Sequence, residues 1–354
     1  MTGCWAAAGP RARRRPSSRP PGPPWKRCDR SRPEGTERIT LLSRSGVPMP
    51  LVIPVFIPHE GCPHQCSFCN QRRISGQDRG PVSGHDVART VTTWLARAGG
   101  RPGREIQVAF YGGSFTALDP ARQEELLAAV APFLARGLVG SLRLSTRPDA
   151  VDPGRLALLG RYRVTLVELG VQSMDDRVLA LAGRGHDSSA VVRAVRLLRE
   201  ASLQVGLQLL PGLPGESRRS LMRTTRAVID LRPDMVRIYP ALVLAGSPLA
   251  RMFHRGRYQP LSLAGAVVRV AWMKSRFAAA GIRVVRMGLQ AGPDLEEALV
   301  AGPWHPAFGE LVQARLMLRR TRQLLARVPA GEQVLLSISS RDQSLFRGQR
   351  SANI

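Results

Sequence analysis

Short aliphatic runs recur along the chain, separated by segments in which apolar residues return every three or four positions. The runs at 51–56, 106–111, 142–145, 164–169, 204–210 and 235–239 are rich in β-branched or aliphatic residues and predict six strands. Between them, Val87, Val91, Trp94, Leu95 and Ala98 share one helical face. A second helix opens at Asp119 with Pro120 at its first position, and a third covers 191–198 after Ser188 and Ser189. Strand alternating with helix predicts parallel strands joined by crossover helices, with functional residues just after the strands where the loops meet.

With 354 residues, 44% of them apolar, the chain is long enough to bury a full core. No run of about 18 uncharged apolar residues occurs, so no membrane span is expected and the chain reads as soluble. Residues 1–48 break the pattern. They are rich in Pro and Arg, show no apolar period, and cannot bury enough surface to offset chain entropy, so they read as disordered. They also lack the apolar stretch of a secretory signal, although an Arg-rich, acid-poor start is shared with organelle transit peptides. Folded-looking sequence begins at "MPLVIPVFIP", which favours Met49 as the biological start and 1–48 as a mis-assigned extension.

Charge adds a partner class. The formal net charge is +26; residues 1–48 carry eleven Lys or Arg against three Asp or Glu, a net of +8, which leaves +18 for the body. An excess of that size suits a polyanion such as RNA. Fifty of the 52 cations are Arg, which an Arg-rich coding bias would also produce.

The chemistry concentrates in "IPHEGCPHQCSFCNQ", where Cys62, Cys66 and Cys69 follow the first strand with the spacing C-x3-C-x2-C. Cys4 and Cys28 fall in the N-terminal segment and no cysteine follows Cys69. Scarcity therefore excludes a disulfide framework for the body and points to a reducing compartment. Three thiolates this close can hold a tetrahedral zinc with His59 or His64 as fourth ligand, or an iron–sulfur cube with one iron left open. A zinc site of that kind is closed, whereas an open iron can chelate a small molecule and pass it an electron.

The cysteine spacing, with Phe68 one residue before the last Cys, resembles the radical S-adenosylmethionine (SAM) superfamily. The resemblance implies a partial (βα)6 TIM-like barrel of the α/β class, a [4Fe-4S] cluster above the strand ends, and SAM on the fourth iron. It also implies reductive cleavage to a 5′-deoxyadenosyl radical and a reduced ferredoxin or flavodoxin as electron donor in the cytoplasm. Three cysteines suffice on this reading because SAM supplies the missing ligand.

Further candidates sit after the other strands. In "YGGSFT", Gly112 and Gly113 allow a turn close enough for backbone contact with the SAM amino group, and Ser114 stands where the superfamily often has Glu. In "STRPD", the resemblance gives Ser145 to the SAM ribose and Arg147 to its carboxylate, which the Arg fork suits. Glu168, Gln172 and Gln208 read as polar groups turned toward the barrel mouth. Gly212, Pro214 and Gly215 form a tight loop toward adenine, and Glu216 is expected only to cap the next helix. His186 in "RGHD" reads as an exposed loop histidine. No residue is singled out as catalytic.

"YGGSFT", "STRPD", "VELGVQSMDD", "GLPGE" and "VRIYPALVLAGSPLARMFHRGRYQPLS" together resemble one branch of the superfamily over residues 51 to about 310: the radical SAM domain of the Elongator catalytic subunit and its stand-alone bacterial relatives. That branch implies a tRNA wobble uridine as substrate. The expected organisation is an N-terminal segment at 1–48, a radical SAM core at 49–290 and a short helical extension at 291–354, too short for the acetyltransferase domain that accompanies the Elongator core. Two other readings stand beside it. One is a radical SAM enzyme acting on a small molecule such as a porphyrinogen, since those enzymes also carry a "GLPG" loop; the other is a non-enzymatic zinc or RNA-binding protein.

Overall fold

The computed structural model describes residues 2–7, 25–27, 37–41, 50–57, 59–70, 80–98, 105–330, 332 and 334–353. Two compact units emerge: residues 48–306, and a second unit of residues 1–47 with 307–354.

The larger unit is built on a parallel sheet of strands β1 (Leu51–Phe56), β2 (Ile106–Tyr111), β3 (Ser141–Thr146), β4 (Val164–Gln172), β5 (Gln204–Leu209), β6 (Met235–Ile238) and β7 (Arg283–Met287). Their order across the sheet follows their order in the chain, each pairing in parallel with the next, and the sheet curls into a partial barrel. The expected six strands are all present, with β4 running on to Gln172. The seventh was not legible: Arg283 and Arg286 interrupt its apolar run, and all of β7 stays partly or fully exposed because it is the sheet edge.

Helices α1 (Gly84–Ala98), α2 (Pro120–Ala128), α3 (Pro153–Gly160), α4 (Ser188–Glu200), α5 (Arg218–Asp230) and α6 (Leu263–Ala279) supply the crossovers. Helix α4 illustrates why they form. Asp187 accepts from the Ala190 N–H as N-cap, and Ala190, Val191, Ala194, Val195 and Leu198 repeat at helical spacing and are buried, packing the helix on β4 and β5. From the strands, Ile53, Val108, Phe110, Leu144, Val167, Leu207 and Val236 are buried almost completely. Each contributes about 1.5–3 kcal/mol over an exposed side chain.

This unit extends past position 290, to Pro306. Leu299–Ala301 pairs antiparallel with Val243–Leu244, and Leu295 packs with Leu242 and Leu244, so the segment beyond β7 closes on the loop after β6.

In the second unit, Val334–Ser339 pairs antiparallel with Thr2–Ala7 and in parallel with Glu37–Leu41, and Trp25–Arg27 pairs with Thr2–Ala7. Val334, Leu336, Ile338 and Phe346 form its core together with Met317 and Leu324 of the helix Phe308–Leu325. Most of the 1–48 segment expected to be disordered lies outside the described residues. No helix among the described residues is long and apolar enough to cross a membrane.

Candidate functional site

The cysteine segment leaves β1 at Ile57, whose N–H donates to Tyr111 O at 2.8 Å, and crosses the end of β2. Backbone meets backbone there. The Ser114 N–H donates to Glu60 O at 2.9 Å, and a Cβ on Gly113 would fall 2.3 Å from that same oxygen. A Cβ on Gly61, at φ +70°, would fall 2.3 Å from Ser114 O, and Gly112 turns at φ +101° against Ile57. The bare Gly-Gly after β2, expected to approach a ligand, thus also seats the cysteine loop. Ser114 is fully buried: its Oγ lies 3.1 Å from Thr146 Oγ1 and accepts from the Arg147 N–H at 3.2 Å, so its side chain ties β2 to β3.

On the other side the loop is held by "GRGHD". The Ser67 N–H donates to Ala182 O at 2.9 Å, a Cβ on Gly183 would lie 3.5 Å from Gln65 O, and one on Gly185 would fall 2.2 Å from His64 Cδ2. Phe68 anchors the loop between two apolar clusters, one with Val178, Ala182, Leu213 and Ala241, the other with Val243, Leu249, Ala250 and Tyr258.

Of the loop's three cysteines, Cys66 is buried and Cys62 and Cys69 are half-buried. Burial pushes the Cys62 thiol above its ordinary value and the neighbouring Cys66 adds to that, against the pull of Arg147 and Arg184. Arg184 Nη1 donates to Cys66 Sγ at 3.0 Å, and its Nη2 donates to Gly170 O. The sequence reading singled out His186 in this loop and missed Arg184; the glycines on either side of it were the available signal.

Buried polar atoms without a hydrogen-bond partner among the described residues gather near the loop: Arg147 Nη1, Arg184 Nε and Gln172 Oε1, with Glu60 Oε1, Ser67 Oγ and His186 Nε2. Arg147 pairs with Asp149 through both carboxylate oxygens, at 3.0 and 2.9 Å, and donates to Arg184 O. Gln172 sits at φ +67°, where β4 breaks register with β5 beside Gly170. A left-handed non-glycine residue costs about 1–3 kcal/mol, and such strain collects at functional positions. A cleft of about 420 Å³ opens beside Cys62, Arg147, Asp149 and Arg155.

Three thiols on one loop fit an iron–sulfur cluster, whose thiolates bind separate irons. Arg184, a buried guanidinium with no carboxylate partner among the described residues, suits an anionic group.

Inside the barrel, Glu168 is fully buried and accepts from Arg143 Nε at 3.1 Å, Tyr111 Oη at 3.3 Å and Gln208 Nε2 at 3.3 Å, while Arg237 Nε lies 2.6 Å from its Oε2. Glu168, expected to face a ligand, has an arginine on each of its oxygens. Gln208 Nε2 also reaches Ser145 Oγ at 3.3 Å, which brings those two candidates together.

After β5, Gly212 turns at φ +96°, its N–H donates to Glu216 Oε1 at 2.8 Å and its carbonyl accepts from Tyr258 Oη at 2.7 Å. Glu216 thus holds the Gly212 turn, and Ser217 with Ser220 caps α5 instead. Burial pushes the Glu216 carboxyl up to about 7. His186 is half-buried with its pKa lowered mainly by burial, and its Nδ1 lies 3.2 Å from Asp187 O. Arg251, Arg255 and Arg257 are exposed on and after the helix Pro248–His254, which is tied to the cysteine loop by the Leu249 N–H donating to Ser67 O at 2.7 Å.

Residues 56–228 match the family model described as the Radical SAM superfamily, and residues 233–318 match that of the Radical_SAM C-terminal domain. The chain is 35% identical over 138 residues to a tRNA uridine(34) acetyltransferase of Methanocaldococcus infernus, covering 38% of this chain and 26% of that protein. To the protein of the same name from Methanocaldococcus jannaschii it is 26% identical over 261 residues, covering 63% and 48%. The chain thus spans a quarter to a half of the length of these relatives. Among solved structures, Methanocaldococcus infernus Elp3 lacking its N-terminal residues superposes with a TM-score of 0.63 at 24% identity, over 78% of this chain and 64% of that one, a likeness of fold.

Proposed function

Because the chain belongs to the radical SAM superfamily of enzymes, its matches running over residues 56–228 and 233–318, we propose that it binds a [4Fe-4S] cluster and SAM and abstracts hydrogen from a tRNA nucleoside. The observation that carries this reading is the cysteine loop itself. Three cysteines are held by backbone packing on both sides, beside buried Arg147 and Arg184 donors that lack partners.

When bound, the cluster supplies the electron that cleaves SAM to a 5′-deoxyadenosyl radical. The chain's own residues do the positioning. Cys62, Cys66 and Cys69 hold the irons, and Gly61 and Gly113 let their loop lie flat on the end of β2. Arg147 would offer its open Nη1 to the SAM carboxylate, with Asp149 fixing its fork. Gln172, Ser145 and Gln208 offer hydrogen bonds to the ribose. The Gly212 turn, clamped by Glu216 and Tyr258, would offer its backbone to the adenine. Phe68 and its apolar neighbours exclude water from the inner side of the loop.

The tRNA assignment rests on the names of the relatives, which act on tRNA uridine, and on the +18 charge of the body. A reduced ferredoxin or flavodoxin is the natural donor, and the scarcity of cysteines agrees with work in the cytoplasm. Protein purified without oxygen is expected to hold about four iron and four sulfide per chain with broad visible absorption. Stoichiometric zinc without sulfide would overturn the cluster. Conversion of a small molecule with no change in any tRNA nucleoside would move the substrate to that class.

A further inference from the structure

Among the described residues no acidic side chain balances the charge of Arg184, and no carboxylate lies within ion-pair distance of it although the residue is only 5% exposed. Arg143, Arg147 and Arg237, its buried or half-buried counterparts, each have an acidic partner. What Arg184 has instead is Cys66 Sγ at 3.0 Å, the Gly170 carbonyl, and a buried Nε with no acceptor.

The arrangement around it is built to keep it there. A Cβ on Gly170 would fall 3.3 Å from Arg184 Nη2, so glycine at that position leaves room for the guanidinium. The Arg184 carbonyl accepts from Arg147 Nη2, and Gly183 lies against the backbone of Gln65 and Cys66. Burying an unpaired cation costs several kcal/mol unless an anion meets it. Among the described residues the group placed to meet it is Cys66 Sγ, as a cluster-ligating thiolate.

We propose that Arg184 is a positioning residue that sets how easily the cysteine-bound cluster accepts its electron. It does so by donating from Nη1 to Cys66 Sγ and by holding one uncompensated positive charge at that sulfur. This rests on the radical SAM reading above. One-electron reduction takes the core from [4Fe-4S]2+ to [4Fe-4S]1+, the electron coming from a reduced iron–sulfur or flavin protein in the cell and from dithionite in the test. It adds one negative charge beside the guanidinium. A fixed cation in low dielectric favours the more negative state, and a hydrogen bond to a ligating sulfur acts in the same direction.

The test is a redox titration of anaerobic holoenzyme, read by the electron paramagnetic resonance signal of the reduced cluster, for wild type, Arg184→Gln and Arg184→Lys, with iron and sulfide assayed on each sample. Arg184→Gln is expected to keep its iron and to become at least tenfold harder to reduce, a midpoint lower by about 59 mV for a one-electron couple. Arg184→Lys, which keeps the charge, is expected to stay close to wild type. Should Arg184→Gln lose its cluster while Arg184→Lys keeps both iron and potential, the requirement for charge stands. A fully loaded Arg184→Gln with the wild-type midpoint would overturn the proposal and leave Arg184 as a peg for the loop. Loss of the cluster from both variants alike would overturn it too, since the shape of the guanidinium and not its charge would then matter. Failure of the radical SAM reading is distinct, because it appears as absent iron and sulfide in the wild type.

Discussion

Glu216 is a carboxyl whose environment works against its charge. Burial raises its pKa from 4.5 to about 7, Asp175 acts in the same direction, and the Gly212 N–H and Arg269 act against them. Between pH 4.5 and 7 the folded chain holds a proton that the unfolded chain has released, so this group's contribution to stability is full below pH 4.5 and is lost as pH rises to about 7. Glu216→Gln keeps the acceptor for the Gly212 N–H without the charge. Chemical denaturation across pH 5–8 is expected to show the variant gaining on wild type by roughly 2–3 kcal/mol toward pH 8. Parallel curves across that range would refute a buried, raised carboxyl. At this scale the sequence was legible in part. The three cysteines announced themselves by spacing, and Gln172 was singled out where the backbone is strained. Arg184 was hidden because its partner lies 118 positions away. The partners of Glu168 were hidden because Arg143 and Arg237 reach it from β3 and β6, a meeting that the sheet order creates.

Elements were easier to read than their meeting points. Strands β1 to β6 carry dense aliphatic runs, so their places were visible, and α2 was marked by Pro120 at its start. Edge strand β7 was not, because a strand exposed on one side need not be continuously apolar. The reason for two glycines after β2 was also invisible, since it lies in the segment crossing over them. Gly113→Ala would drive a Cβ into Glu60 O and Ile57 O, at 2.3 and 2.7 Å, where no flexible side chain can yield. It is expected to cost about 2 kcal/mol or more and to lower iron uptake. Gly160→Ala, at the end of α3 with nothing within 4 Å, is expected to be neutral or more stable by up to about 1 kcal/mol. Thermal melts with iron analysis compare the two; equal behaviour would mean that the cysteine loop does not rest on Gly113.

For the whole molecule, the curled parallel sheet gathers the loops after β1, β2, β3, β4 and β5 at one end, and the cysteines, Arg147, Gln172 and Gly212 all lie on those loops or at strand ends. The body's net charge of +18 then bears on the partner. If Arg251, Arg255 and Arg257 hold a phosphate backbone, tRNA affinity falls steeply with salt. Neutralising all three to Ala would weaken binding roughly tenfold at low salt and flatten the slope. A triple variant that binds tRNA like wild type, or a wild type that binds heparin equally well, would speak against an RNA site there. On the proposed function, Cys62, Cys66 and Cys69 hold a cluster needed to cleave SAM. The most direct test is the 5′-deoxyadenosine formed when anaerobic, dithionite-reduced protein is given SAM, measured for wild type and for each single Cys→Ala variant. The account predicts product from the wild type and none from any of the three variants; product that survives loss of one of these cysteines, or a wild type rich in iron and sulfide that forms none, would contradict it.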